Sequence, residues 1–151
     1  MSRGFEVVKG YEDKNINLPV RKTKFAAGYD IEAAEDIVIP SFKKGMAPTL
    51  IPTGIKAYME DDEVLYLYNR SSNPKKKGLI LANSVGVIDK DYYNSPKNEG
   101  HIFIKLYNEG TEDYVVHKND KIVQGLFIKF LIVDNEEEIE NERDGWSYLN
   151  N

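Results

Sequence analysis

Short apolar runs separated by turn residues follow one another along most of the chain. They occupy residues 37–39, 46–58, 64–68, 115–116 and 122–133. Prolines and glycines interrupt the runs, and the 3.6-residue spacing of amphipathic helices is nearly absent. Regularly spaced short runs of this kind predict an all-β fold, either a sandwich or a barrel of antiparallel strands.

One segment, Ser71–Gly78, departs from the strand pattern. Pro74 suits the first position of a helix, Asn73 before it can act as the cap, and Gly78 can end the turn. We therefore expect one short helix of one or two turns between two strands.

The stretch from Leu79 to Asn94 is typical of two short strands joined by a tight turn. The β-formers Val87 and Ile88 end on Asp89, and Tyr92 follows three residues later. A carboxylate at the end of a strand, beside an aromatic ring, can orient a water molecule next to a flat ligand. The same residues also suit an ordinary hairpin with a surface Asp, so other stretches have to decide between the two.

Composition narrows the function classes. A chain of 151 residues fits one domain, and its net charge of -5 gives no general attraction to nucleic acid or anionic membrane, so a phosphate ligand needs a local site. There is no cysteine, hence no disulfide framework and no thiolate chemistry. The N-terminus lacks the apolar segment of a secretion signal, and no run is long enough to span a membrane. We expect a cytoplasmic protein.

The C-terminal part changes character after Asp134. Residues 135–142 are mostly acidic, and the sequence Arg-Asp-Gly-Trp-Ser-Tyr follows at 143–148. A charge run of this kind is usually solvated and mobile. We expect a β domain over residues 1–134 and a mobile arm over residues 135–151.

Five stretches in order along the chain resemble the motifs of the trimeric dUTPases, which hydrolyse dUTP to dUMP and pyrophosphate. Gly86–Tyr92, reading Gly-Val-Ile-Asp-Lys-Asp-Tyr, resembles the third motif and carries most of the resemblance. The other four are Ala26–Ile31, Tyr68–Ser72 with its Arg-Ser-Ser, Lys121–Gln124, and the divergent Arg143–Ser147.

The resemblance implies a fold, an assembly and a reaction. The fold would be a dUTPase-like β-barrel or jelly-roll-like sandwich of short antiparallel strands with one short helix. Three copies would form a homotrimer with active sites at the subunit interfaces. Water activated by Asp89 would attack the α-phosphorus of dUTP, assisted by Mg²⁺ that the triphosphate and water molecules hold. No nucleic acid or membrane partner is implied.

The resemblance also assigns residues to the two parts of the substrate. Around the nucleoside it implies Asn83, Val87, Ile88, Tyr92, Phe103 and Trp146. Along the phosphates it implies Arg70, Ser71, Ser72, Gln124 and Arg143. Asp30 would meet the metal through water only. Tyr92 would lie under the deoxyribose and leave no room for a ribose 2′-hydroxyl.

The chain departs from the family at three places, which keeps two other functions open. Lys121 replaces an Arg, and the loop Asn94–Glu99 is longer than in many members. The fifth motif keeps Gly145 but lacks the usual second Gly and the Gly-Ser-Thr ending, so its closure over the substrate would be stiffer. A dUTP-binding module without turnover is one alternative. A dCTP deaminase is the other, although its catalytic Glu is absent from the strand beginning at His101, and only Glu99 lies near. We expect His101 and His117 to be structural.

Overall fold

The computed structural model describes residues 2–142, which form twelve short strands, one π-helical turn and two 3₁₀ turns. The strands are β1 (Gly4–Val7), β2 (Val20–Arg21), β3 (Tyr29–Glu32), β4 (Ile37–Ile39), β5 (Thr49–Pro52), β6 (Ile55–Tyr58), β7 (Glu63–Asn69), β8 (Leu79–Leu81), β9 (Val85–Asp89), β10 (Phe103–Asn108), β11 (Tyr114–Val116) and β12 (Lys121–Lys129). The 3₁₀ turns are Phe42–Lys44 and Lys90–Tyr92, and the π-helical turn is Asn73–Lys77.

The strands pair antiparallel in four small sheets. The largest has the order β2-β3-β12-β7-β9, a second has the order β5-β10-β8, and two pairs are β1-β6 and β11-β4. The all-β fold is thereby confirmed. Within residues 2–142 the large sheet has two unpaired edges, β2 and β9, so its strands do not close into a barrel. A barrel was one of the two architectures that the sequence predicted.

One apolar core joins the sheets. Strand β10 shows the expected two-residue period, since Ile104 and Leu106 are fully buried while Phe103 and Lys105 are half-buried. Ile31, Leu65 and Val123 contribute from the large sheet to the same core. The core therefore fixes the sheets against one another and holds the strand ends in place.

The last apolar run is shorter as a strand than predicted. Strand β12 ends at Lys129, which pairs with Glu63, the first residue of β7. Because the partner strand begins there, β12 has no ladder to continue on, and residues 130–133 are exposed. Residues 135–142 are also exposed and without regular structure. The division at residue 134 stays a prediction.

The helical turn lies where the sequence placed it, but its cap differs. Ser72 is the N-cap, and Gly78 ends the turn in the left-handed region with φ 67°. Asn73, the expected cap, is buried instead, and its side-chain amide donates to Asn69 Oδ1 over 2.7 Å and to the Ile122 carbonyl over 2.8 Å. The prediction of Asn73 as cap is wrong because those two acceptors draw its side chain into the fold.

The predicted two strands around residue 84 are present, with Ser84 at φ 61° in the turn between them. They do not pair with each other, because β8 pairs with β10 and β9 pairs with β7. The turn thus joins two strands that diverge into different sheets. In the part of the chain described, no helix is long and apolar enough to cross a membrane.

Candidate active site

Strands β3, β7 and β12 bring the first, second and fourth motif-like stretches together. On β12, Gln124 is the register partner of both Asp30 on β3 and Tyr68 on β7. Asn69 ends β7, and Arg70 follows it directly. Residues that lie far apart along the chain therefore meet at one end of the large sheet.

Two cations surround the carboxylate of Asp30, whose side chain is 14% exposed. Lys121 Nζ lies 3.5 Å from Asp30 Oδ2, and Arg70 Nε lies 3.9 Å from Asp30 Oδ1. Arg70 Nη1 also donates to the Lys121 carbonyl over 3.1 Å, which orients the guanidinium. Two cations against one anion leave excess positive charge at this end of the sheet, which suits a polyphosphate.

Gly28 leaves space for the Gln124 side chain. A Cβ on Gly28 would lie 2.5 Å from Gln124 Oε1 and 3.2 Å from Gln124 Cβ. The Gln124 amide in turn lies 3.5 Å from the Asn69 carbonyl, at the upper limit of a hydrogen bond. A glycine at position 28 therefore lets Gln124 project beside the cations, where its amide can donate to a ligand.

Ser71 and Ser72 follow Arg70 at the start of the π-helical turn. Ser71 is exposed and Ser72 is half-buried, and Ser72, the N-cap, makes no side-chain hydrogen bond that caps the turn. The buried amide of Asn73 fixes the backbone just after them. The three sequence-predicted phosphate residues Arg70, Ser71 and Ser72 are thus presented together on an anchored turn.

The residues predicted around the nucleoside lie along β9 and the turn before it. Asn83 is exposed in the turn, Val87 is exposed on β9, and Ile88 is buried, so Ile88 can offer a ligand only its backbone. Gly86 has an ordinary φ, and a Cβ there would lie 2.9 Å from Leu67 Cβ. Its smallness serves the close packing of β9 on β7 rather than an unusual backbone angle.

Phe103 lies on the same side of the molecule. Ala82 N donates to the Lys105 carbonyl over 2.9 Å, so β10 runs past the turn that precedes β9. The Phe103 ring packs on the His101 ring with centroids 4.2 Å apart. Arg143 and Trp146, the predicted contacts from the arm, lie outside the described residues.

Asp89 ends β9 and directly precedes the 3₁₀ turn that carries Tyr92. Asp89 is half-buried and borders a cleft of about 360 Å³ with Asp61, Glu63, Asp91 and Phe130. Tyr92 is 1% exposed, and its hydroxyl donates to the His101 carbonyl over 2.6 Å. The carboxylate and the aromatic ring are therefore close in the chain, as predicted, but the ring lies mainly inside the core.

Strand β7 separates Asp89 from the phosphate-side cluster. Asp89 is the register partner of Val64, whereas Asn69, next to Arg70, lies five residues further along β7. At about 3.3 Å per residue, those positions are roughly 17 Å apart. The residues predicted to act on the substrate thus form two separate groups. We call them the nucleoside half-site, with Asp89, and the phosphate half-site, with Asp30, Arg70, Ser71 and Gln124.

Sequence reasoning missed the hydrogen bonds around Tyr92. Asn98 Nδ2 donates to Tyr92 Oη over 2.7 Å. The Gly54 backbone N–H donates to His101 Nε2 over 2.8 Å, and burial lowers the pKa of His101 to about 4. The only signal in the sequence was the unusual length of the loop that contains Asn98.

No set of three or more His, Asp or Glu side chains within residues 2–142 could by itself hold a metal ion. Asp30 already faces Lys121 and Arg70, which makes it a poor direct ligand. Glu99 lies near the position where a dCTP deaminase would have its catalytic Glu. Lys56 Nζ donates a hydrogen bond to Glu99 over 2.7 Å, and this bond lowers the pKa of the Glu99 carboxyl group. That environment keeps Glu99 ionised and engaged, which does not favour an acid–base role.

The chain is similar to a family model and to curated relatives. The dUTPase family model matches residues 14–148. A deoxyuridine 5′-triphosphate nucleotidohydrolase of Lactococcus lactis is 57% identical over 140 residues, covering 93% of this chain and 91% of the relative. A protein of the same name from Buchnera aphidicola is 32% identical, covering 89% and 86%.

Solved structures show the same likeness. The crystal structure of a dUTPase from Streptococcus mutans matches with a TM-score of 0.81 and 52% identity, covering 87% of this chain and 99% of that one. A Staphylococcus bacteriophage 80alpha dUTPase variant with dUpNHpp shares the fold at a TM-score of 0.72, with 20% identity, over 94% and 90% of the two chains. A phage phi11 dUTPase variant, described with a structural Mg(II) ion, also shares the fold at 19% identity and a TM-score of 0.70, over 93% and 98%.

Proposed function

Since the chain belongs to the dUTPase family, we propose that its two half-sites come together between neighbouring subunits of a homotrimer. The chain is a dUTP diphosphatase, an enzyme that hydrolyses dUTP to dUMP and pyrophosphate. The assembly, the roles of individual residues and the metal are the proposal.

The separation along β7 is the observation that carries the proposal. In the reaction, the group that activates water and the groups that hold the leaving oxygen act on bonds to the same phosphorus atom. Asp89 and the Arg70–Ser72 turn cannot both do so within one chain, because they lie roughly 17 Å apart along the strand. A second copy that places its Asp89 against the first copy's phosphate half-site completes the site.

Asp89 orients the attacking water. Its carboxylate accepts a proton as the water oxygen bonds to the α-phosphorus, and the bond to the bridging oxygen breaks to release pyrophosphate. Arg70 and Lys121 of the other subunit face the negative charge that develops on the phosphates, and Ser71 donates to the bridging oxygen. Gln124 and Ser72 bind neighbouring phosphate oxygens.

The nucleoside occupies the space where β8 and β9 diverge. Because these strands pair with other strands, their facing backbone groups can bind the edge of uracil, next to Asn83 and the backbone of Val87 and Ile88. Phe103 borders this space. Tyr92 lies under the deoxyribose and leaves no room for a ribose 2′-hydroxyl.

The donor set fits Mg²⁺ held by the substrate rather than by the protein. Asp30, beside Lys121, would hold a phosphate-bound Mg²⁺ through a water molecule. When bound, the ion neutralises phosphate charge and fixes the conformation of the triphosphate. In this proposal Arg143 meets the terminal phosphate and Trp146 stacks on uracil; both residues lie outside the described part of the chain. The cytoplasmic location stays a prediction.

The Asp89→Asn variant tests the proposed chemistry. We expect pyrophosphate release from dUTP with Mg²⁺ to fall about 100-fold or more, because the amide cannot accept the proton. Binding of dUTP, measured by titration calorimetry, should change little. Asp61→Asn is the matched control, since Asp61 borders the same cleft but pairs with Lys90 over 2.8 Å.

Three results of this experiment carry different meanings. Hydrolysis that persists unchanged in Asp89→Asn would remove Asp89 from the mechanism. Strong dUTP binding by the parent without turnover would favour the binding module. Ammonia release from dCTP by the parent would favour the deaminase.

A further inference from the structure

The hydroxyl group of Tyr92 is held by the chain that follows it. Asn98 Nδ2 donates to Tyr92 Oη over 2.7 Å, and Tyr92 Oη donates to the His101 carbonyl over 2.6 Å. A phenol has one hydrogen to donate and lone pairs that accept, and here both capacities are used. The two bonds therefore fix the ring at its outer end as well as at its Cα.

Asn98 is itself oriented by its own loop. Its Oδ1 accepts the Gly100 backbone N–H over 3.1 Å and the Ser95 hydroxyl over 3.2 Å. With the oxygen so engaged, the Nδ2 end of the amide faces Tyr92. The amide is thus presented to the phenol in one orientation.

The loop that carries Asn98 is anchored to the sheet behind it. Lys56 Nζ, on a side chain only 11% exposed, donates to Asn94 Oδ1 over 2.6 Å and to Glu99 Oε2 over 2.7 Å. Asn94 and Glu99 both have positive φ, 55° and 65°. Such backbone persists in non-glycine residues only where the surroundings hold it, so the loop is a fixed support.

The support also acts on the turn that joins Tyr92 to Asp89. The 3₁₀ turn Lys90–Tyr92 begins directly after Asp89. Gly100 packs so closely on this turn that a Cβ there would collide with the Tyr92 carbonyl oxygen. The loop therefore sets the position of the ring and of the turn together.

We propose that Asn98 is a positioning residue that sets the preference for dUTP over UTP by holding Tyr92 against the sugar. This inference rests on the proposed function, in which Tyr92 lies under the deoxyribose. With Asn98 in place, the ring cannot yield to an added 2′-hydroxyl. Without it, the outer end of the ring gains freedom and the pocket admits a ribose.

The test compares kcat/KM for dUTP and for UTP in four forms of the full-length chain. They are the parent, Asn98→Ala, Tyr92→Phe and the double variant. In each single variant we expect the dUTP/UTP ratio to fall about tenfold, equal to about 1.4 kcal/mol, mainly through better use of UTP. The double variant should fall no further than Tyr92→Phe, because Tyr92→Phe already lacks the hydrogen bond from Asn98 as well as the one to the His101 carbonyl.

Asn17→Ala is the matched control. The Asn17 amide donates to Glu32 Oε1 over 3.0 Å, outside both half-sites, so its loss should leave the ratio unchanged. A merely structural role of Asn98 would lower stability without changing the ratio. Thermal unfolding of every variant, followed by circular dichroism, separates the two effects.

Additive losses in the double variant, or an unchanged ratio in Asn98→Ala, would overturn the inference. If Asn98→Ala does not fold, Tyr92→Phe serves as the test, because it leaves the hydrogen bonds from Ser95 and Gly100 to Asn98 intact. An unchanged dUTP/UTP ratio in Tyr92→Phe would also overturn the inference. A parent without dUTP hydrolysis would overturn the proposed function, whereas a selective parent whose variants stay selective would overturn this inference alone.

Discussion

Two inactive variants of the chain should restore activity when they assemble together. Asp89→Asn disables the nucleoside half-site, and Ser71→Ala disables the phosphate half-site about 17 Å away along β7. Each variant alone should lose about 100-fold in turnover. If every site takes one half from each of two chains, random mixing in equal amounts makes both halves intact in about a quarter of the sites.

The assay is pyrophosphate release after co-expression of the two variants, with mixed assemblies verified by native mass spectrometry on differently tagged chains. We expect about 25% of the parent activity per chain, well above the sum of the two homo-assemblies. The control mixes the parent with the double variant Asp89→Asn/Ser71→Ala. Sites between chains should again give about 25%, whereas sites within one chain should give about 50%.

The outcome that refutes the reasoning is specific. If the two single variants together show only their separate residual activities while the control retains about half, each chain contains a whole site. The separation of Asp89 from the Arg70–Ser72 turn would then not require a second copy, and the proposed assembly of the site would be wrong.

Two further predictions concern His101 and Gly28. The pKa of His101 is about 4 in the folded state and has an ordinary value of 6.5. The stability that neutral His101 contributes is therefore present above pH 6.5 and is lost as the pH falls towards 4. This loss in the free energy of unfolding is at most about 3 kcal/mol. Urea midpoints should show a smaller loss from pH 7 to pH 4 in His101→Gln, which keeps an acceptor for Gly54; an equal loss would contradict the assignment. Gly28→Ala should displace the Gln124 amide and lower kcat/KM for dUTP about tenfold. On a Gln124→Ala background the same change should add little, and a full additional loss would contradict the contact.

Much of the fold was predictable because short strands leave local signals. The runs around Ile39, Leu65 and Val116 became strands, and Gly78 ended the helical turn. Asn73 shows where such signals fail. Its side chain had two tertiary acceptors, Asn69 Oδ1 and the Ile122 carbonyl, that no local pattern could reveal.

The candidate site residues could be named from the sequence, but their arrangement could not be predicted. The motif-like stretches named Asp30, Arg70 and Gln124, and register across three strands brings these residues together. Sequence order could not show that Asp89 lies at the other end of β7. The hydrogen bond from Asn98 to Tyr92 was equally hidden, since it depends on where a loop folds back onto Tyr92.

The divergence of β8 and β9 has a consequence for how the enzyme distinguishes bases. Strands β8 and β9 leave the turn without forming the backbone hydrogen bonds that join the two strands of a hairpin. A planar base whose edge alternates acceptor, donor and acceptor can take the place of the missing hydrogen bonds by bonding to the backbone of both strands. Substituting side chains along β9 would then change the binding of the base far less than any change that lets β8 and β9 pair with each other.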